Sequence, residues 1–386
     1  MSESNIYIPF NIPPVIGKEI IYILDVIEKR KISGDGEYTK KCSELIEQRY
    51  NAKKVLLTTS CSAALDMSAI LTEINAGDEV ILPSYTFTST ANSFLMRGAN
   101  LKFVDIREDT LNIDENKIEK AMTNKTKAVV LVHYAGISCE MKRILEIAKK
   151  YNILIIEDAA QAIESKYNNK YLGTIGDFGC YSFHETKNLT CGEGGAILIN
   201  NSQFIEKAEI IREKGTNRSK FYRGEVDKYT WVDIGSSFLP SEILSAFLYA
   251  QLENSNIIIK KRINSWNYYY SAFEKLEKNG LLRRPIIPAN CKHNGHLFYI
   301  LLKDEKNRDD LISYLRQKGI LAVFHYLPLH LSYMGLKLGY GKGMLPKTED
   351  LASRLLRLPL FYDITKDEQD YIFNNIYEYF LNKKFS

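Results

Sequence analysis

The chain has 386 residues, 45% of them hydrophobic and 25% charged, with 51 Lys and Arg against 47 Asp and Glu for a formal net charge of +4. This balance is that of a globular protein and gives no sign of disorder, and the length suits two lobes, because single cores rarely grow beyond about 250–300 residues. No basic block marks a nucleic-acid track, no run of about 18 apolar residues marks a membrane span, and the opening MSESNIYIPFNIPPVIG has neither the basic nor the apolar region of a secretory leader.

A cytoplasmic protein that binds neither nucleic acid nor membrane is therefore expected. Cys42, Cys61, Cys139, Cys180, Cys191 and Cys291 form no CxxC pair and stand beside no histidine at metal-ligand spacing. They read as reduced thiols, with no metal site.

In chain order, short apolar runs recur at VLLT (55–58), EVILP (79–83), LKFVD (101–105), AVVLVHYAG (128–136), ILIIED (153–158), FGCYSF (178–183) and GGAILIN (194–200). They are continuous rather than alternating, as in strands buried on both faces, and helix-like segments such as AALDMSAILTEI and MKRILEIAKKYN separate the earlier ones. The pattern predicts an α/β fold with a large, mostly parallel sheet. The stretch SEILSAFLYAQLENSNIIIKKRINSWNYYYSAFEKLEK reads as long helix, after which LFYILLKD (297–304), RDDLISYLRQKG and ILAVFHY (320–326) read as a smaller α+β region. The expected division is a large domain over 1–250 and a small C-terminal domain over 251–386.

Ligands of such sheets gather at the carboxyl ends of strands. In TTSCSAALDM, the residues Thr59, Ser60, Cys61 and Ser62 leave a strand and open a helix, which makes either a phosphate seat or a simple N-cap. Tyr85 in LPSYTF stands where it could stack on a flat ring or pack in the core. In ILIIEDAAQ a strand ends on Glu157 and Asp158, and a carboxylate buried there without a cation would cost several kcal/mol. Something protonated should face Asp158.

Lys187, in SFHETKNLTCGEGGA, sits between a strand ending near Phe183 and a turn holding Gly192, Gly194 and Gly195. Read alone it is a surface charge; desolvated, its amine is a nucleophile for a carbonyl. Anion seat, strand-end carboxylate and lysine together supply three groups that pyridoxal 5'-phosphate (PLP) needs.

The segments TSCSAALDM, GDEVILPSYTFTSTANS, IIEDAAQ, GCYSFHETKNLTCGEGGA and HYLPLH, in that order, resemble the DegT/StrS-type sugar aminotransferases, PLP enzymes of the aspartate aminotransferase fold, fold type I. The resemblance implies that Lys187 forms the Schiff base and that Asp158 pairs with the pyridinium nitrogen. Gln161 would lie by the ring hydroxyl, Tyr85 over the ring face, and Ser60, Cys61 and Ser182 on the phosphate. His325 and His330 would lie near the sugar. Many relatives carry G-x-N-Y-R, whose asparagine reaches the cofactor phosphate across a dimer; here GSSFL (235–239) places Ser237 at that position. A homodimer with shared active sites is thus implied.

The basic and aromatic stretch REKGTNRSKFYRGEVDKYTW (212–231) offers Arg218 and Lys220 as contacts to a sugar diphosphate. By resemblance, the expected reaction moves the amino group of L-glutamate to the C4 ketone of dTDP-4-dehydro-6-deoxy-D-glucose, giving dTDP-4-amino-4,6-dideoxy-D-galactose for a surface polysaccharide. The alternatives are amination at C3, a sugar dehydratase, whose relatives carry histidine in place of the lysine, and a non-enzymatic PLP-binding regulator.

Overall fold

The computed structural model describes residues 6–383. Its centre is a sheet of seven strands: β1 (Lys54–Thr58), β2 (Glu79–Pro83), β3 (Asn100–Val104), β4 (Thr126–Val132), β5 (Leu154–Asp158), and, after the hairpin β6 (Lys166–Tyr167) and β7 (Lys170–Tyr171), β8 (Phe178–Ser182) and β9 (Gly195–Ile199). Their order across the sheet is β1-β9-β8-β5-β4-β2-β3, with β9 running antiparallel to both neighbours and the others parallel. The α/β fold with a large, mostly parallel sheet is the one expected from the continuous apolar runs.

Those runs are continuous because both faces are covered. Val129 and Leu131 of β4 join one core with Val55, Ile155 and Leu198, whereas Ala128 and Val130 join a second with Leu56, Ile156 and Ile197. Alternate side chains thus leave the strand on opposite faces and each finds an apolar partner, worth about 1.5–3 kcal/mol per large side chain buried.

A third core lies around β11 (Phe298–Leu301) and β12 (Leu355–Leu358), an antiparallel pair in which Tyr299 faces Arg357. It gathers Trp266, Tyr269, Phe298, Leu358 and Ile376, and also Ile8 from the other end of the chain. Ile8 is tied there by a bridge to Ile320, its amide donating to the Gly319 carbonyl at 2.8 Å. A short strand β10 (Cys291–Lys292) pairs with β6 and forms with β6 and β7 a separate three-stranded sheet, which ties this region to the chain between β5 and β8.

Two expectations change. The helical run after residue 240 is three helices, Glu242–Glu253, Ser255–Ala272 and Glu274–Lys278, broken where Asn254 leaves helical geometry at φ −106° and ψ 14°. ILAVFHY is not a strand: it contributes two isolated bridges, Ile320 to Ile8 and Val323 to Arg357. The pairing of β11 goes instead to LLRL, whose apolar period is hidden by its brevity and by the arginine within it.

Candidate active site

The site forms where five strands of the large sheet, β1, β2, β4, β5 and β8, end. Beyond β1, Ser60 is extended and caps the helix Cys61–Leu71, its Oγ accepting the Ala63 amide at 3.0 Å. The first amides of a helix have no intrahelical acceptor, so this turn presents N–H groups and the positive end of a dipole. Beside it begins the helix Thr88–Leu95, joined through the Ser62 hydroxyl, which donates to Ser89 Oγ at 2.6 Å. Gly195 permits the approach of β9: a Cβ there would lie 2.3 Å from the Ser60 carbonyl carbon. That contact explains one glycine of the turn after Lys187.

At the end of β5 the two adjacent carboxylates divide by strand alternation. Glu157 points away from the site, fully buried, and accepts the amides of Gly173, Ile175 and Gly176 at 2.8, 2.7 and 2.6 Å. It also takes His133 Nε2 at 2.9 Å; because His133 Nδ1 accepts the Cys139 amide at 3.2 Å, the ring proton lies on Nε2. Asp158 points into the site. It accepts from the Thr90 hydroxyl at 2.6 Å and the Ala160 amide at 3.2 Å, and makes no ion pair among the described residues. Burial pushes its carboxyl above the ordinary value, against the pull of Thr90, Ala160 and Lys187. A buried acceptor so placed is short of one cation.

Lys187 follows β8 and aims its amine into the same cavity, about 430 Å³ in volume, with Ser60, Cys61, Asp158, Gln161, Ser182 and His325 around it. The amine has no hydrogen bond or ion pair among the described residues. Burial, the largest influence, pulls it below the usual lysine range; Cys61 and Asp158 oppose this, and Arg357 reinforces it. A partly neutral amine can attack a carbonyl or carry a proton. Gln161 is fixed at both ends, accepting the Ala135 amide at 2.7 Å and donating to the Tyr326 hydroxyl at 3.0 Å. His325 Nδ1 meets the Tyr134 hydroxyl at 2.9 Å, and burial holds this imidazole neutral, well below its ordinary value.

Other expected residues lie elsewhere. Tyr85 is buried outside the cavity lining, its hydroxyl on the His325 carbonyl and its ring 5.0 Å from that of Tyr134, so it braces the site instead of covering a ligand. Phe87, two residues on and 59% exposed, lines the cavity and offers the ring face expected of Tyr85. His330 is wholly buried between Ser84 (2.7 Å from Nδ1) and Glu349 (3.1 Å from Nε2), and does not reach the cavity. Ser237 is exposed, bridged to Glu213, and outside this lining. Arg218 is engaged by Glu213 and the Tyr222 hydroxyl and lines a separate cleft of about 620 Å³; Lys220 pairs with Glu206 at 2.6 Å. Within one chain, neither cation faces Lys187.

Sequence reasoning missed Thr90, Phe87, His296, Tyr326 and Arg357, all of which line the cavity. Thr90 lies in the same stretch as Tyr85 and could have been found from it, being one helical turn inside a helix that starts at the site. His296 and Arg357 are brought in by the third core from more than 100 residues away.

An amine free to condense, a buried carboxylate lacking its cation, a helix start suited to an anion and an exposed aromatic face surround one cavity: this is the class of PLP-dependent enzymes, and the residues fit that cofactor. Asp158 would hold the protonated ring nitrogen, the Ser60–Cys61 turn and Ser182 the phosphate, and Lys187 the carbonyl carbon. The match to the DegT/DnrJ/EryC1/StrS aminotransferase family spans residues 14–377, and the chain belongs to that family. GDP-perosamine synthase of Escherichia coli O157:H7 is 30% identical, with 98% of this chain and 100% of that protein covered. Helicobacter pylori PseC, an aminotransferase involved in the biosynthesis of pseudoaminic acid, superposes with a TM-score of 0.89 at 26% identity over 97% and 99% of the two chains. The PLP form of a putative sugar aminotransferase from Streptococcus pneumoniae, Spr1654, gives 0.88 at 26% identity over 96% and 97%. The protein is thus a PLP-dependent sugar aminotransferase.

Proposed function

We propose that the enzyme transfers the amino group of L-glutamate to the C4 ketone of dTDP-4-dehydro-6-deoxy-D-glucose, forming dTDP-4-amino-4,6-dideoxy-D-galactose. The observation that carries an amino transfer is the pair Asp158 and Lys187, both without an ionic partner on one cavity. PLP, when bound, supplies a carrier for the amino group and a cationic ring that accepts the electron pair of the broken C–H bond. Asp158 keeps the ring nitrogen protonated. Lys187 Nζ, desolvated and with its pKa lowered by burial, removes the proton from the amino-bearing carbon of the donor and returns one to C4 of the sugar. Val132 gives the cavity an apolar wall, and Gln161, clamped by Ala135 and Tyr326, holds its orientation throughout.

A second copy of this chain completes the site in this reading. Ile20, Leu24 and Ile27 lie along one side of the helix Glu19–Glu28 and are all exposed, an apolar face that a homodimer would cover. Ser237, Arg218 and Lys220, which do not reach their own cavity, are then proposed contacts to the cofactor phosphate and the nucleotide diphosphate of the second copy. The free state of all six cysteines suits a cytoplasmic location. The test is incubation with dTDP-4-dehydro-6-deoxy-D-glucose and L-glutamate, with mass spectrometry of the product and NMR of the new C–N centre. An amine at C4 with galacto configuration supports the proposal; an amine at C3, or none, rejects it.

A further inference from the structure

Arg357 carries a charge that no described residue pairs with. It stands on β12 opposite Tyr299, lines the cavity of Lys187, and stacks its guanidinium 4.5 Å over the ring of Phe10. None of its guanidinium nitrogens has a hydrogen bond or ion pair among the described residues, and Nε is fully enclosed without an acceptor. The hydroxyls of Tyr134, Tyr326 and Tyr85 lie near it, and so do the cationic or neutral nitrogens of Lys187, His296 and His325.

The anions of the cavity are already committed. Asp158 is the partner for the ring nitrogen, and Glu193 lies at the mouth, 3.5 Å from His184. A half-buried arginine whose enclosed Nε has no acceptor is unfavourable unless something brings it a carboxylate. Its flat fork, held against Phe10, is pre-set for a bidentate pair.

Resting on the amino transfer argued above, we propose that Arg357 is the receptor for a carboxylate of the amino donor, fixing L-glutamate with its amino-bearing carbon toward Lys187. The donor leaves as 2-oxoglutarate with its carboxylates intact, so one guanidinium serves both the arrival of the donor and the departure of its product. The sugar substrate presents a ketone and hydroxyls at this depth and makes no such demand.

The holoenzyme tests this by half-reactions. The PLP form is mixed rapidly with L-glutamate and the loss of its colour followed; separately, the aminated form is mixed with the nucleotide sugar. In Arg357→Met the glutamate concentration giving half the maximal rate should rise about 100-fold, the loss expected for stranding a carboxylate from its fork, while the sugar half-reaction stays within about two-fold of wild type. Arg357→Lys should recover part of the loss, keeping charge without the fork. Glutarate, an unreactive dicarboxylate, should lose affinity for Arg357→Met in calorimetry by a similar factor. The apo form of Arg357→Met should melt at a higher temperature than wild type, since a half-buried cation with an enclosed, unpaired Nε is gone. Equal losses with L-glutamate and L-glutamine place the α-carboxylate on Arg357, and a loss confined to L-glutamate places the side-chain carboxylate there; both support the proposal. An unchanged glutamate half-reaction, or a loss confined to the sugar half-reaction, overturns it and leaves the proposed function standing. A wild-type enzyme that keeps its colour with L-glutamate overturns both.

Discussion

Replacing Gly195 with alanine sets a methyl carbon 2.3 Å from the carbonyl carbon of Ser60 and 2.4 Å from the amide nitrogen of Cys61. Ordinary contact begins at 3.4 Å, so one side must retreat by about 1 Å. The strand cannot yield, because Gly195 pairs with Thr58 on one side and Ser182 on the other. The atoms it meets are backbone and cannot swing away. The Ser60–Cys61 turn therefore moves, and it carries the amides proposed to seat the phosphate. Overpacking of this kind costs about 1–3 kcal/mol, which at about 1.4 kcal/mol per factor of ten would weaken PLP by about 5- to 140-fold if all of it fell on the bound state. Equilibrium titration of the apo protein with PLP measures the affinity, and thermal melting of the same sample separates a shifted turn from global unfolding. Gly192→Ala is the control: its φ of +85° strains alanine, yet no atom lies within 4 Å, so stability falls while PLP affinity holds. Wild-type affinity and melting in Gly195→Ala would refute the idea that this close approach sets the anion seat.

Lys187→Met should bind PLP without the colour of covalent attachment and lose turnover by several orders of magnitude, checked by absorbance and by amine formation. Because burial lowers this amine's pKa, folding favours its neutral form: the resulting cost to apo stability is full below the folded pKa and vanishes as pH rises toward 10.5. Urea midpoints of the apo Lys187→Met protein should thus exceed wild type at pH 7 and converge with it near pH 10. Asp158→Asn should likewise stabilise the apo protein at neutral pH, because burial raises this carboxyl and penalises its ionised form; the gain should disappear below about pH 3.8, where the unfolded carboxyl is also protonated. The same variant should bind PLP more weakly and slow both half-reactions, measured by single-turnover absorbance. His330→Ala should lower stability by about 1–3 kcal/mol, having stranded Ser84 and Glu349, yet leave the PLP spectrum unchanged.

The chemistry legible in the sequence was that carried by residues next to strand ends. Asp158, Lys187, Ser60 and Cys61 each follow an apolar run directly, so locating the strand locates the side chain. Even there the sequence could not choose a face unaided: Glu157 and Asp158 look alike, and only the register of β5 sends one to three amides and the other to the cavity. Tyr85 and Phe87 form a similar pair. Both are aromatic and two residues apart, and the turn into the helix Thr88–Leu95 buries the first and exposes the second. His330 misleads because a histidine caught between a hydroxyl and a carboxylate has the same letter as one facing a substrate. Arg357 carried no local signal at all, since its meaning comes from a missing partner, and a sequence does not display what is missing.

The tether between Ile8 and residue 320 has a bearing on how the protein comes into being. Phe10, once made, must wait while some 350 more residues are added before the arginine it stacks on emerges from the ribosome. A nascent enzyme can thus assemble its sheet, and with it the lysine and the strand-end acid, long before the donor end of its cavity has a wall. Cofactor capture and substrate competence should then arise at separate moments during synthesis, in that order.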